Sequence, residues 1–499
     1  MRRFSMSNKP AILAIDQGTS STRAILFSAT LDKLAVYQKE LTLQYPQKGW
    51  VEQKPEAIWQ DTLEVCRKVL DKVPNGASSV AVIGITNQRE TSIIWDRTTG
   101  KPVYPAIVWQ DRRTTSFYEK LKQWGHEPLV TAKTGLLLDP YFSAGKIAWI
   151  LDHVDGARNW ARSGELAFGT IDCYLLWHLT GGKVHATDAT NAARTLLFNI
   201  HTQQWDEELL TLFGIPDAIL PQVKDNAADF GVTDRVLFGR EILIGGMAGD
   251  QHAALIGQGC IAPGMVKSTY GTGCFALMNI GQEFRASKHR LLTTPAYRLA
   301  GKTTYAIEGS IFVAGAAIQW LRDNLEFFSD SAMSETLALS VPDSNDVYFV
   351  PAFTGLGAPY WQSDVRGMIY GLTRETTKAH ITRAALEAQG FQTRDLITAI
   401  EGDGGYQASV IRIDGGLVAN QFMCQFLADM LGRPVEVPVI TEATALGAAC
   451  LAGITVGLFP GLEVMQKNWR CERIFQPVMP EDVRARLYTG WRAAVEKLL

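Results

Sequence analysis

Three short stretches carry residue types able to do chemistry. In AILAIDQGTSSTRAILF (11–27), Gly18 permits a tight turn, Thr19, Ser20, Ser21 and Thr22 crowd it with hydroxyls, and Asp16 stands at its entrance. Hydroxyls and backbone N–H groups on a glycine turn suit phosphate oxygens. The Lys of a Gly-x-x-x-x-Gly-Lys-Ser/Thr loop is missing, however, and an acid guards the approach. A cation reconciles the two, because Mg²⁺ keeps several waters and is held by one or two carboxylates plus substrate phosphates. Asp16 facing hydrated Mg²⁺, with Thr19 and Ser20 on phosphate oxygens, is one reading; an Asx-turn closed by Asp16 is the other.

The second stretch, GITNQRETSIIWD (84–96), sets Arg89 beside Glu90 just after a strand-like run. An alcohol hydroxyl both donates and accepts, a guanidinium only donates and a carboxylate only accepts, so the pair can grip neighbouring hydroxyls. An exposed salt-bridging pair is the alternative. Trp109 in AIVWQDRR and Tyr141-Phe142 in LDPYFSAGK can wall such a pocket or belong to a core. The third stretch, GGMAGDQHAALIGQG (245–259), places Asp250 after a strand among small residues. A carboxylate there can accept the proton of an attacking hydroxyl in phosphoryl transfer, or it can cap the helix that follows.

These residues need strand ends and helix starts to hold them, and the chain supplies both. AVIGI (81–85), EILIGGM (241–247) and SVIRID (409–414) read as strands running into Gly-rich or polar turns. ITRAALEAQGFQTRDLITAI (381–400) carries a helical apolar stripe, and NQFMCQFLADMLG (420–432) reads as a helix stopped by Gly432 and Pro434. Alternation of this kind predicts α/β layers. VKSTYGTGCFALM (266–278) echoes the first stretch, since both read as strand, Gly-Thr turn, strand. Two halves of related architecture are therefore expected, joined near the Gly-rich IGQGCIAPG (256–264). In the second half, GSIFVAGAAIQWL places Gly315 and Gln319 at one helix opening, and IDGGLVANQF places Gly416 and Asn420 at another. Glycines at helix N-termini let a base or phosphate approach the backbone, so these elements read as a nucleotide cleft, or as simple close packing.

Composition narrows the classes. With 499 residues, 46% hydrophobic and 20% charged, the chain suits a globular protein of two or three domains. A formal net charge of −3, without long runs of one sign, argues against nucleic acid or an anionic membrane as the main partner. Seven cysteines with no Cys-x-x-Cys pair fit neither a disulfide framework nor a zinc site, and reduced thiols in the cytoplasm are expected. The basic start, MRRFSMSNKP, lacks the apolar core of a secretory signal, and Met6 is an alternative start. ATALGAACLAGITVGLF (443–459) is uncharged but short and Gly/Ala-rich, so it reads as a buried helix rather than a membrane span.

Taken together, these stretches resemble the FGGY carbohydrate kinase family from about Ala11 to about Phe459. YFSAGKIAWILDH (141–153) is similar to the family's first signature and GLGAPYWQSDVRGMIYGLTRET (355–376) to its second. NQRET followed by IVWQDRR looks like the members that act on glycerol rather than on pentuloses or gluconate. The resemblance implies two actin-like, ribonuclease-H-like ATPase domains around a cleft, with an N-terminal domain over 1–255 and a C-terminal domain over 256–499. It implies ATP-dependent, Mg²⁺-assisted phosphorylation of glycerol to sn-glycerol 3-phosphate. By motif, Arg89, Glu90, Tyr141, Asp250 and Gln251 would hold glycerol hydroxyls, Trp109 and Phe275 would pack on its carbons, and Asp250 would be the base. Thr19, Ser20, Ser21, Arg23 and Thr272 would touch phosphates. Gly315, Gln319, Gly416 and Asn420 would frame the nucleoside, and Asp16 with Asp250 would face the metal. A cytoplasmic homo-oligomer, dimer or tetramer, is expected, with no nucleic-acid partner and no membrane insertion.

Two departures from the family pattern stand out. Ser20 replaces a frequent Thr and keeps the hydroxyl. RVLFGRE (235–241) keeps only Gly239 of a Gly-x-x-x-Gly-x-Arg loop used by some members for feedback by fructose 1,6-bisphosphate, so that feedback is expected to be weak or absent. The nearest alternative is a relative acting on erythritol or a ketopentose. A nucleotide-driven switch of the actin kind is a second alternative, and it predicts ATP hydrolysis that no small alcohol stimulates.

Overall fold

A computed structural model describes residues 10–362 and 364–499. Met1 and Met6, and with them the choice of start, lie outside the described residues, as does Ser363 of the second signature. The first sheet begins with the strand Ala11–Gln17, which turns through Gly18–Ser20 into its antiparallel partner Ser21–Phe27. Gly18 N donates to Ser21 O at 2.9 Å to close the turn. Lys33–Glu40 extends the sheet antiparallel on one side, and Val80–Asn87 and Leu243–Gly249 extend it parallel on the other. Ile12, Leu13, Ala14 and Ile15 are all fully buried, because helices cover both faces and the central strand therefore has no polar side.

The second half repeats this plan. Met265–Tyr270 and Cys274–Gly281 form an antiparallel hairpin around Gly271–Gly273. Lys302–Ile311 joins antiparallel, while Val410–Asp414 and Val435–Pro438 join parallel. In both sheets the hairpin's two strands lie between a further antiparallel strand on one side and two parallel crossover strands on the other. The second sheet adds an outer strand at each end, Leu292–Leu299 and Cys471–Phe475. The weak Gly-Thr echo in the sequence is thus the visible trace of a repeated five-strand topology.

The Gly/Ala-rich stretch is the buried helix Ala443–Thr455. It lies against the first sheet and against the short helix Asp250–Gly257. A Cβ on Gly257 would come within 1.9 Å of Ala443 O, and one on Gly447 within 1.9 Å of Ala253 O. Only glycine permits this approach, which is why the stretch is small and uncharged rather than lipid-facing. Among the described residues, no helix is long and apolar enough to cross a membrane. The close packing fixes the helix that begins with Asp250 from behind.

Candidate active site

The site forms where strand ends of the first sheet meet the second half. Val80–Asn87 ends just before Arg89 and Glu90, and Leu243–Gly249 ends just before Asp250. Gly249 is the N-cap of the Asp250–Gly257 helix and Asp250 is its first residue, so the capping alternative for Asp250 does not hold. Asp250 Oδ1 accepts from Gln251 N at 2.6 Å. It also lies 3.2 Å from Arg89 Nε, with about a third of its side chain open. That arrangement leaves a carboxylate both aimed and reachable.

Arg89 and Glu90 are buried rather than exposed, at 2% and 1%. Glu90 takes a left-handed backbone (φ 61°), an uncommon state for a non-glycine residue. Its carbonyl is held there by Ser92 Oγ and Ser143 Oγ, each at 3.0 Å. The two side chains are 3.9 Å apart at closest, and each leans mainly on a residue that the motifs did not single out. Arg194 Nε donates to Glu90 Oε1 at 2.6 Å. Arg89 grips Glu308 with two bonds of 2.6 and 3.0 Å, and Arg194 Nη2 reaches the same acid at 3.1 Å. Burial alone would raise Glu308, but Arg194 and Arg89 hold its carboxyl well below the ordinary range. Burial leaves Glu90 raised despite Arg194 and Arg89. Sequence reasoning missed Arg194 and Glu308. The available signal was a charge inside otherwise apolar runs, NAARTLLF and YAIEGSI.

Aromatic walls close over these charges. Trp109 meets Tyr141 edge-on with ring centroids 5.5 Å apart, and Phe275 from the second half at 6.4 Å. Arg89 Nη2 reaches Tyr141 OH at 3.4 Å. Gln251 accepts from the ammonium of Lys267, a buried lysine that sequence reasoning also missed and whose pKa burial lowers. Donors, acceptors and aromatic rings therefore converge on one place.

The phosphate candidates begin beside Trp109. Thr19 Oγ1 accepts from Trp109 Nε1 at 2.8 Å, and Ser20 is exposed beside it. Ser21 is buried in the return strand. Asp16 lies within its strand opposite Arg23 and Thr86, so it closes no turn. Arg23 is 3.6 Å from Asp16 and 2.7 Å from Glu442. Burial pushes Asp16 up to about 6, opposed by Arg23 and reinforced by Asp250 and Glu442. An acid so crowded by other acids gains from a cation. Among the described residues, no group of three or more His, Cys, Asp and Glu forms a metal cage. Two carboxylates without a cage suit a hydrated Mg²⁺ whose remaining ligands are water and substrate phosphate.

The second hairpin faces the nucleoside candidates. Thr272 is exposed at its tip. Gly315 N donates to Gly271 O at 2.9 Å, and Ala314 N and Ala316 N donate to Thr272 O at 2.9 and 3.1 Å. The helix Gly315–Asp323, with Gln319 exposed one turn along, therefore starts directly on this hairpin. Val410–Asp414 pairs with the hairpin's first strand and leads into the exposed Gly416. Asn420 caps the Gln421–Leu431 helix, accepting from Met423 N at 2.8 Å. Donation of the Asn420 amide to Ser334 Oγ at 3.2 Å directs this side chain to packing as well.

Two α/β halves of this repeated topology, with a buried charge network beside a Gly-Thr turn, fit a small-molecule kinase. The chain belongs to the FGGY family of carbohydrate kinases: the family's N-terminal domain matches residues 11–257 and its C-terminal domain residues 266–456. It is 74% identical to a glycerol kinase of Nitrosomonas eutropha over 99% of both chains, and 56% identical to one of Rhodospirillum centenum, again over 99% of both. A crystal structure of Plasmodium falciparum glycerol kinase with ADP superposes with a TM-score of 0.93 at 37% identity, covering 98% of each chain. The ligand-bound xylulose kinase of Lactobacillus acidophilus shares the fold, with a TM-score of 0.88 at 22% identity and 98% of each chain covered.

Proposed function

We propose that this chain phosphorylates glycerol with ATP, giving sn-glycerol 3-phosphate and ADP. The observation that carries the reading is the convergence of Arg89, Glu90, Tyr141 and Asp250 with Trp109, which packs on Tyr141 and Phe275 and is bonded to Thr19. Full-length similarity to two glycerol kinases supports the same substrate.

In this mechanism Arg89 and Glu90 orient two adjacent hydroxyls, and Gln251 assists. Trp109 and Phe275 cover the carbon chain and exclude water that would otherwise take the phosphoryl group. Arg89, 3.2 Å from Asp250, holds that carboxylate in place. Asp250 accepts the proton of a terminal hydroxyl as its oxygen forms a bond to the γ-phosphorus. The bond from that phosphorus to the bridging oxygen breaks, and ADP leaves. Thr19, Ser20, Ser21, Arg23 and Thr272 steady the phosphate oxygens, while Gly315, Gln319, Gly416 and Asn420 receive the nucleoside. Asp16 and Asp250 would hold Mg²⁺, which would supply positive charge against the phosphates. Six of the seven thiols are buried and all are free, which supports a cytoplasmic setting. A homo-oligomer and a division of the chain near residue 256 belong to the same reading.

The test is ADP release from Mg-ATP with glycerol, erythritol, xylulose, ribulose, gluconate or no acceptor. Strong preference for glycerol supports the proposal. Preference for a larger polyol would keep the base but reassign the pocket, and equal slow release with every acceptor would sink the kinase reading.

A further inference from the structure

Asp188 is fully buried and contacts no substrate group in the reading above. It caps the short helix Ala189–Ala192, accepting from Thr190 N at 2.7 Å and Asn191 N at 3.3 Å. Asn191 Nδ2 and Asn226 Nδ2 add bonds of 2.6 and 2.8 Å, and the Thr190 hydroxyl donates its proton to the same carboxylate. With that proton committed, the Thr190 oxygen is left as an acceptor. It receives Gly249 N–H at 3.0 Å. Gly249 immediately precedes Asp250.

The surrounding bonds reach the same end of the sheet. Asn226 Nδ2 donates to Met247 O at 2.9 Å, and Met247 N returns to Asn226 O at 2.9 Å. Asn191 and Asn87 exchange amide hydrogen bonds of 3.0 Å each. Asn87 lies two residues before Arg89 and Asn191 three before Arg194. One buried acid therefore stands behind the segments presenting Arg89, Arg194 and Asp250.

We propose that Thr190, oriented by Asp188, is the positioning residue for the base: its hydroxyl fixes the Gly249 amide and so sets where the Asp250 carboxylate meets the attacking hydroxyl. The inference rests on the reading of Asp250 given above. Thr190→Val keeps the shape and removes the acceptor. Misplacing a reacting group by about 1 Å costs on the order of a hundredfold. The variant should therefore lose roughly tenfold to a hundredfold in kcat, while the KM values for glycerol and Mg-ATP stay close to wild type, because Arg89, Glu90 and both hairpins are untouched. Thr190→Ser should restore kcat.

Amide hydrogen exchange over residues 247–251 reads the bond itself. The Gly249 amide should exchange slowly in the wild type and faster in Thr190→Val. Wild-type kcat in Thr190→Val, a matched rise in KM with no rescue by Thr190→Ser, or rapid Gly249 exchange in the wild type would each overturn the inference. Should Thr190→Val fail to fold, Thr190→Ala carries the same comparison and the wild-type exchange rate needs no substitution. A wild type lacking glycerol-stimulated ADP release would instead strike the proposed function, and the exchange measurement would still decide the positioning.

Discussion

Trp109 Nε1 donates to Thr19 Oγ1 across 2.8 Å, so the proposed wall of the glycerol site is bonded directly to the proposed first phosphate turn. Loss of such a bond costs about 1 kcal/mol, or roughly fivefold. Trp109→Phe keeps an aromatic wall and removes the donor. It should weaken glycerol and Mg-ATP together, in steady-state KM values, by about that factor. Thr19→Val should do the same, and the double variant should be little worse than either. Additive losses would mean that the bond does not couple the two sites.

Asp250→Asn tests the base. The amide fits the same space and can still accept from Gln251 N, but it cannot take a proton from the substrate. Turnover should fall by roughly 10²- to 10⁴-fold, while glycerol and nucleotide binding, followed by calorimetry, persists. Turnover near the wild-type rate would assign the base to another residue.

The hairpins and the buried 443–455 helix were legible because local chemistry dictates them. A Gly-Thr turn between apolar strands admits few conformations, and a helix of Gly and Ala must pack closely on something. Arg89, Glu90 and Asp250 were legible because each follows a strand end. The ion network was not. Arg194 lies 104 residues from Glu90, and Glu308 lies 219 from Arg89 and in the other half, so these pairs exist only once the chain is folded and, for Glu308, once the two halves are assembled. The sequence also left the burial of Arg89 and Glu90 open, and only the surrounding carboxylate and guanidinium explain how such charges are tolerated.

Glu308→Gln tests that explanation. The change leaves Arg89 and Arg194 buried with one fewer opposing charge. Breaking a buried pair in this way costs about 3–5 kcal/mol. The melting temperature should fall, and the glycerol KM should rise because Arg89 loses its anchor. A variant that melts and binds like wild type would show that Glu90 and Asp250 suffice to hold both guanidinium groups.

Lys146 predicts a pH dependence. Its ammonium is buried and donates to the carbonyls of Pro140, Tyr141 and Phe142 at 2.8, 2.6 and 2.9 Å. Burial lowers its pKa from 10.5 to about 7. Between those values the unfolded chain binds more protons than the folded one, so this group's contribution to stability rises with pH across that window. Its cost is felt in full below about pH 7. Lys146→Met removes the titration. The melting temperature of the wild type relative to that variant should therefore climb from about pH 6.5 to about pH 9. A flat difference would mean that the three carbonyls keep the ammonium charged throughout.

The 235–241 loop gives the last prediction. Asp234 caps the short helix Arg235–Phe238, Gly239 turns left-handed, and Glu241 is exposed just beyond. Arg240 is turned back on the fold, with Nη1 on Ser78 O at 3.2 Å and Nε on Glu241 O at 3.3 Å. An exposed carboxylate repels a phosphate, and the neighbouring guanidinium is already bonded to backbone. Fructose 1,6-bisphosphate should therefore leave glycerol-dependent ADP release unchanged through the low-millimolar range. Inhibition in that range would show that Arg235 and Arg240 overcome the repulsion of Glu241.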